Sequence, residues 1–174
     1  MIKNLNLYIK YFLPLSFIAS VFYILIYNVL HYDPILGYDA EAHYAYIDTF
    51  SRYLPRRIRI PTSDETREFF NPPIAYVFPA IIQVFCRNLS NSINLLKSCQ
   101  PVYGNIGQIF QSFLYIITIV INLKTLKLVL KNNRFSFSYI ILTSMLAVNY
   151  RTISMIRGEI YILFFMSLLM LSLV

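Results

Sequence analysis

The chain has 174 residues, of which 57% are hydrophobic and 13% are charged, with a mean hydropathy of +0.57 and a net charge of +7. A soluble globular domain carries about a quarter charged residues. The composition therefore excludes an ordinary soluble domain and predicts an all-α, polytopic transmembrane protein. Because Lys and Arg lie beside apolar segments, membrane lipids rather than nucleic acid are the expected partners.

The first apolar segment covers about residues 11–30 and has the length needed to cross a hydrocarbon core of ~30 Å. Further apolar segments follow at 72–86, 108–123, 135–149 and 159–174. A polar loop, 31–71, separates the first two of these segments. The short segment 72–86 is expected to be a tilted crossing, a re-entrant segment or an interfacial helix. The chain stops inside the last segment, which predicts a fragment or a truncated reading frame.

The loop 31–71 contains an amphipathic pattern that predicts a helix from about Asp39 to Pro55, lying on the membrane surface. Its apolar positions recur at helical spacing: Ala40, Tyr44, Ile47, Phe50 and Leu54. Asp48 and Arg52 are placed for an ion pair four residues apart. A second, short helix is expected to start at Ser63-Asp64-Glu65.

The two cysteines, Cys86 and Cys99, show no metal-ligand spacing. Free thiols are favoured over a disulfide between them. The loop 124–134 carries basic residues and no acid, which favours a cytoplasmic position for it. Loop 31–71 carries five arginines of its own, however, so the count of basic residues alone does not place it.

Acidic residues and a histidine follow the first apolar segment in "GYDAEAHYAYIDTF", residues 37–50. On a helix, Asp39, His43 and Tyr46 would share one face. A carboxylate at a helix start is favoured in its ionised form by the helix dipole, and an ionised carboxylate suits a general base. The alternative is that Asp39 only caps the helix, while Glu41 and Asp48 face water.

The stretch "GYDAEAHYAYIDTFSRYLP", followed by "EFFNPPIAYVFPAII", resembles the start of glycosyltransferases of the GT-C superfamily that use polyprenyl-phosphate sugars. The protein mannosyltransferases and the lipid A aminoarabinose transferases are the most similar members. The resemblance implies that residues 1–174 are the amino-terminal part of a single GT-C-like membrane domain. It also implies that loop 31–71 is external and carries a catalytic base near its start. The matching residues are Asp39, His43, Pro72, Pro73 and Tyr76. The family's doubled acid is absent unless Glu41 replaces it, and Ile74-Ala75 stands where Leu-Tyr is usual.

A second match is "MIRGEIY", residues 155–161, where the superfamily often places an arginine and an acid. There Arg157 would bind the lipid phosphate through its forked guanidinium, and Glu159 would stand beside it. The alternative is that Arg151 and Arg157 are ordinary flanking charges of a helix. The basic segment "PRRIRIP" is also able to bind phosphate, although anionic lipid headgroups are its favoured ligands.

The resemblance predicts an inverting transfer of a sugar from a polyprenyl phosphate to an acceptor hydroxyl, in the plasma membrane of a bacterium. The expected catalytic residue is Asp39, and the expected substrate-binding residues are His43, Glu41, Tyr46, Arg157 and Glu159. No metal or cofactor is expected beyond the lipid-linked donor. One alternative is a truncated or degenerate, non-catalytic membrane protein. Another is a transporter or flippase subunit, which the lack of ionisable residues within the spans disfavours.

Overall fold

The computed structural model describes residues 2–37, 39–54, 56–93, 99–130 and 156–174, together with residues 138, 139, 142 and 150. Within these ranges the ordered elements are helices, and there is no strand. The helices are α1 (Ile2–His31), α2 (Ala40–Tyr53), α3 (Ile74–Ile93), α4 (Gln100–Leu130) and α5 (Glu159–Ser172). The predicted all-α class is confirmed for this part of the chain. Most of the expected segment 135–149 lies outside the described residues.

Helix α4 is the central element, and α1 packs antiparallel to it. The Gln108 side-chain amide near the start of α4 donates to the carbonyl oxygen of Tyr32, just past the end of α1, at 3.0 Å. Further along α4, Ile116 lines an apolar groove together with Phe22 of α1. The end of α1 and the start of α4 therefore lie at the same end of the molecule.

Helices α3 and α5 pack against the first part of α4. The Phe78 ring of α3 stacks on the Phe110 ring with 4.0 Å between their centroids. The ring of Tyr161, at the start of α5, lies 6.3 Å from Phe110 on another side. The end of α3 meets the start of α4 at Cys86 and Cys99, so these two helices are antiparallel. Helix α5 begins beside Phe110 and packs along α4.

The amphipathic helix α2 forms as its pattern predicts. Ala40, Tyr44, Ile47 and Phe50 are buried in the core, and Leu54 is partly buried against it. Ile47 and Phe50 are fully covered, and burying such a side chain contributes about 1.5–3 kcal/mol. The buried face of α2 packs against α3. Because α3 also packs against α4, α2 lies next to the start of α4.

The start of α4 approaches the segment between α1 and α2 closely at Gly104. A β-carbon built there would lie 2.5 Å from the Tyr44 hydroxyl oxygen and 2.7 Å from Cγ of Pro34. Only glycine leaves room for this approach, so Gly104 allows Pro34, just after α1, and Tyr44 of α2 to pack against the start of α4.

One helix among the described residues is long and apolar enough to cross a membrane: Tyr103–Leu130, with a mean hydropathy of 1.9. Shorter apolar helices occur at Leu15–His31, Ile74–Leu89 and Glu159–Ser172. A single helix of this kind does not by itself establish a polytopic membrane protein.

The structure corrects several sequence-based expectations. Asp48 does not pair with Arg52; its Oδ1 lies 3.5 Å from Nη2 of Arg87 and accepts a hydrogen bond from Gln83, because α3 packs against this side of α2. Residues 62–65 form a turn and not a helix start. There the backbone N–H of Thr62 donates a hydrogen bond to Oε2 of Glu65 at 2.9 Å, so this donor finds its acceptor within the turn.

The expectation of free thiols is also wrong, since Cys86 and Cys99 form a disulfide. Their Cα atoms are 5.9 Å apart, because the antiparallel packing of α3 on α4 brings the end of one helix to the start of the other. Helix α3 continues through Pro79.

Candidate functional site

A polar cavity of about 240 Å³ lies where the start of α2, the segment before α3 and the start of α5 meet. Three separate parts of the chain therefore build it. Its lining residues are Asp39, His43, Glu68, Phe70, Asn71, Pro72, Arg157, Gly158, Glu159 and Ile162. Four of the residues singled out from the sequence, Asp39, His43, Arg157 and Glu159, are thus brought together in one place.

Asp39 stands immediately before α2 but does not cap it. Its side chain makes no hydrogen bond to the first turn of the helix. Among the described residues, Asp39 alone combines a positive φ, of 66°, with a side chain other than that of glycine. Aspartate tolerates this left-handed conformation better than most residues do. The carboxylate lines the cavity instead, with Oδ1 3.5 Å from Nη2 of Arg67 and a quarter of the side chain exposed.

Arg157 and Glu159 reach the cavity from the amino end of α5. Nη1 of Arg157 lies 3.5 Å from Oε1 of Glu159, and their side chains are 24% and 56% exposed. Gly158 between them is the N-cap residue of α5, and it packs close to Ala75 of α3. Arg157 lines the same cavity as Asp39.

His43 is buried in the wall of the cavity, one helical turn after Asp39. Its Nδ1 lies 2.7 Å from the hydroxyl oxygen of Tyr76. Burial, more than any neighbouring charge, lowers the pKa of His43 below 6.5, so the ring is neutral at pH 7. The charged groups that act on it are Glu68, Glu159 and Asp39, which oppose the lowering, and Arg157, which adds to it.

Two of the predicted site residues lie elsewhere. Glu41 is exposed on another side of α2 and does not line the cavity. Tyr46 is fully buried beneath the cavity, with its ring stacked on that of Tyr76 at 4.0 Å. Its hydroxyl donates to the carbonyl oxygen of Asn71 at 3.3 Å, and burial raises the pKa of Tyr46 to about 12. Tyr46 therefore packs against Tyr76 and does not line the cavity.

Sequence reasoning missed Glu68 and Asn71, which both line the cavity. The amide nitrogen of Asn71 bonds Oε2 of Glu68 and also lies 3.0 Å from the Tyr76 hydroxyl. Both residues belong to "EFFNPP", where the family resemblance points only to Pro72 and Pro73. No periodic pattern in this segment points to Glu68 or Asn71.

The cavity offers the parts of an acid–base or group-transfer site. Asp39 is a carboxylate able to take a proton, Arg157 is a cation able to bind an anion, and His43 is a neutral imidazole in the same cavity. Within the described ranges, His, Cys, Asp and Glu side chains do not gather in the groups of three or more that hold a metal ion.

An apolar groove of about 250 Å³ between α1 and α4 offers no comparable chemistry. Ser112 is the sole polar residue lining it. A second apolar cavity of about 210 Å³ continues along the same helices. The polar cavity is therefore the candidate site.

Comparison with known proteins finds no matching family, no matching curated protein and no matching solved structure.

Proposed function

We propose that this chain carries the active site of a membrane glycosyltransferase. It would transfer a sugar from a polyprenyl phosphate to an acceptor hydroxyl at the external face of the membrane. The observation that supports this proposal is the single cavity in which Asp39, His43, Arg157 and Glu159 meet. The absence of a capping bond at Asp39 argues against the alternative in which this residue serves only the helix.

The reaction assigns a separate task to each charged group. The Asp39 carboxylate takes the proton of the acceptor hydroxyl, and the acceptor oxygen attacks the anomeric carbon. The bond from that carbon to the phosphate oxygen breaks, and its electron pair leaves with the lipid phosphate. Arg157 binds the departing phosphate, and Glu159, 3.5 Å away, orients the guanidinium.

The helix packing supports a proposed placement in the membrane. We place α1, α4 and α5 across the bilayer, with α2 and the cavity at one surface. All eight acidic residues occur in 33–68 or at Glu159, at the cavity end, whereas Lys124 and Lys127 lie near the other end of α4. The five arginines of loop 31–71 also lie at the cavity end, so the count of Lys and Arg does not decide between the two orientations.

The disulfide supports an external position for the cavity. It joins Cys86 of α3 to Cys99, the residue before α4, and this is the half of α4 on which the cavity lies. Disulfides persist in oxidising compartments outside the cytoplasm. An external position for the disulfide places the cavity outside as well. Helix α3, packed beside only the first part of α4, then need not cross the bilayer.

The proposal is tested by a transfer assay. The protein in lipid nanodiscs is given radiolabelled polyprenyl-phosphate hexoses and pentoses, with a cell-envelope lipid extract as acceptor. Arg157→Gln should lower transfer by about 10²–10³-fold, the usual loss when one donor to a developing negative charge is removed. Arg87→Gln is the matched control, because Arg87 pairs with Asp48 outside the cavity. No transfer by the unaltered protein with any donor would reject the enzyme.

A non-catalytic membrane protein is the second candidate, and the size of the cavity favours it. Pockets that bind drug-sized ligands measure about 300–1,000 Å³, and this cavity of about 240 Å³ is smaller. In that case the ion pairs at the cavity serve stability alone. Arg157→Gln would then lower the unfolding temperature without a transfer activity to lose.

A further inference from the structure

The amide of Asn71 has a defined orientation because of its neighbours. Its nitrogen bonds both Oε2 of Glu68 and the hydroxyl oxygen of Tyr76, the latter at 3.0 Å. A carboxylate only accepts hydrogen bonds, so the group that faces Glu68 must be the NH₂ and not the carbonyl oxygen. The second N–H of the same group is then donated to Tyr76.

The orientation of Asn71 determines where the phenol proton of Tyr76 goes. Tyr76 is fully buried, so water is excluded from its hydroxyl. Its oxygen accepts from Asn71, and its other neighbour is Nδ1 of His43 at 2.7 Å. If Nδ1 carried a proton, the phenol proton would be buried without an acceptor, which costs free energy. Nδ1 is therefore the acceptor, and the proton of the neutral ring is on Nε2.

We propose that Glu68, Asn71 and Tyr76 are positioning residues that hold His43 as the Nε2–H tautomer, so that the imidazole donates a hydrogen bond to a phosphate oxygen in the cavity. Nδ1 is committed to Tyr76, and Nε2 is the ring nitrogen left for a ligand. Arg157 lines the same cavity and supplies the positive charge. The assignment of phosphate rests on the proposed function, whereas the assignment of the tautomer does not.

The chain contains its own reference for the measurement, because it has two histidines. Nδ1 of His31 lies 3.0 Å from the carbonyl oxygen of Tyr27. A carbonyl oxygen only accepts, so Nδ1 of His31 must carry a proton. The two histidines are therefore expected to be opposite tautomers, and their ¹⁵N signals distinguish the two forms in one sample.

The experiment is ¹⁵N NMR of the histidine-labelled protein in nanodiscs at about pH 8, above the ordinary pKa of histidine. We expect the Nε2–H form at His43 and the Nδ1–H form at His31. Glu68→Gln should introduce the Nδ1–H form at His43. A glutamine amide can donate to Asn71, which lets the Asn71 amide turn over and accept the phenol proton. Glu65→Gln makes the same change in a carboxylate that bonds Thr62 and Arg59, and it should leave His43 unchanged.

Two results would overturn the proposal that Glu68, Asn71 and Tyr76 set the tautomer of His43. One is a His43 signal in the Nδ1–H form in the unaltered protein, and the other is a Glu68→Gln spectrum equal to that of the unaltered protein. The first of these results needs no variant, so a misfolded Glu68→Gln protein leaves the proposal testable. For the ligand, farnesyl phosphate should shift the Nε2 signal of His43, and farnesol should not. Equal shifts by both, or by neither, would overturn the phosphate assignment. Expected spectra together with an inactive transfer assay would reject only the proposed enzyme.

Discussion

Replacing Asp39 by Asn separates the catalytic role of this residue from any structural one. Asn tolerates the positive φ of 66° as Asp does, so the backbone conformation is kept. There is no capping hydrogen bond to lose. The partner Arg67 is 70% exposed, so their ion pair contributes about 0–1 kcal/mol to stability. The unfolding temperature should therefore fall by no more than about 2–4 °C.

Sugar transfer should fall far more than stability. Removing a general base usually lowers a rate by about 10²–10⁴-fold, and Asn cannot take the acceptor proton. The assay measures transfer of radiolabelled sugar from the polyprenyl phosphate, with donor binding measured separately. Asp48→Asn is the matched control, because Asp48 also lies 3.5 Å from an arginine but outside the cavity. Transfer by Asp39→Asn within about tenfold of the unaltered protein would refute the assignment of Asp39 as the base.

Three further predictions concern stability. Replacing Cys86 and Cys99 by Ser should lower the free energy of unfolding by about 3 kcal/mol, and unfolding temperatures unchanged by reductant would contradict the disulfide. Gly104→Ala should destabilise the protein by about 1–3 kcal/mol, because the added methyl group would clash with the Tyr44 hydroxyl and the Pro34 ring. Gly158→Ala should be nearly neutral in the same melting experiment, because its added methyl group would lie 3.7 Å from Cβ of Ala75. Burial lowers the pKa of His43 below 6.5, so as pH falls the unfolded chain binds a proton at this residue before the folded chain does. The free energy of unfolding should therefore decrease as pH falls below 6.5. His43→Gln should make this pH dependence weaker in a pH series of denaturant titrations.

Local patterns predicted local structure well. The helical spacing from Ala40 to Leu54 predicted α2, its end before Pro55 and its buried face, because helical periodicity depends only on nearby residues. The predicted ion pair between Asp48 and Arg52 was wrong because the partners of Asp48 come from a distant part of the chain. Another helix supplied Arg87 and Gln83 to the same carboxylate, and spacing along one helix carries no information about such tertiary partners.

The cavity was predicted only in part. Spacing alone placed Asp39 and His43 on one helix face, whereas the family resemblance added Arg157 and Glu159. Glu68 and Asn71 lie in a segment without periodicity, so neither pattern pointed to them. The disulfide was missed because a separation of 13 residues does not reveal whether two Cα atoms approach within bonding distance.

Under the proposed membrane placement, the division of the cavity between helices links its chemistry to the lipid around it. Arg157 lies just before α5 and Glu159 is its first residue, whereas the facing groups lie at the start of α2 and in the segment before α3. Sliding α5 by one turn along its axis, about 5.4 Å, would carry the guanidinium away from Asp39. A bilayer thicker or thinner than the apolar length of a helix acts along that same axis. The arrangement of charges would then be complete at one hydrocarbon thickness and disrupted at others.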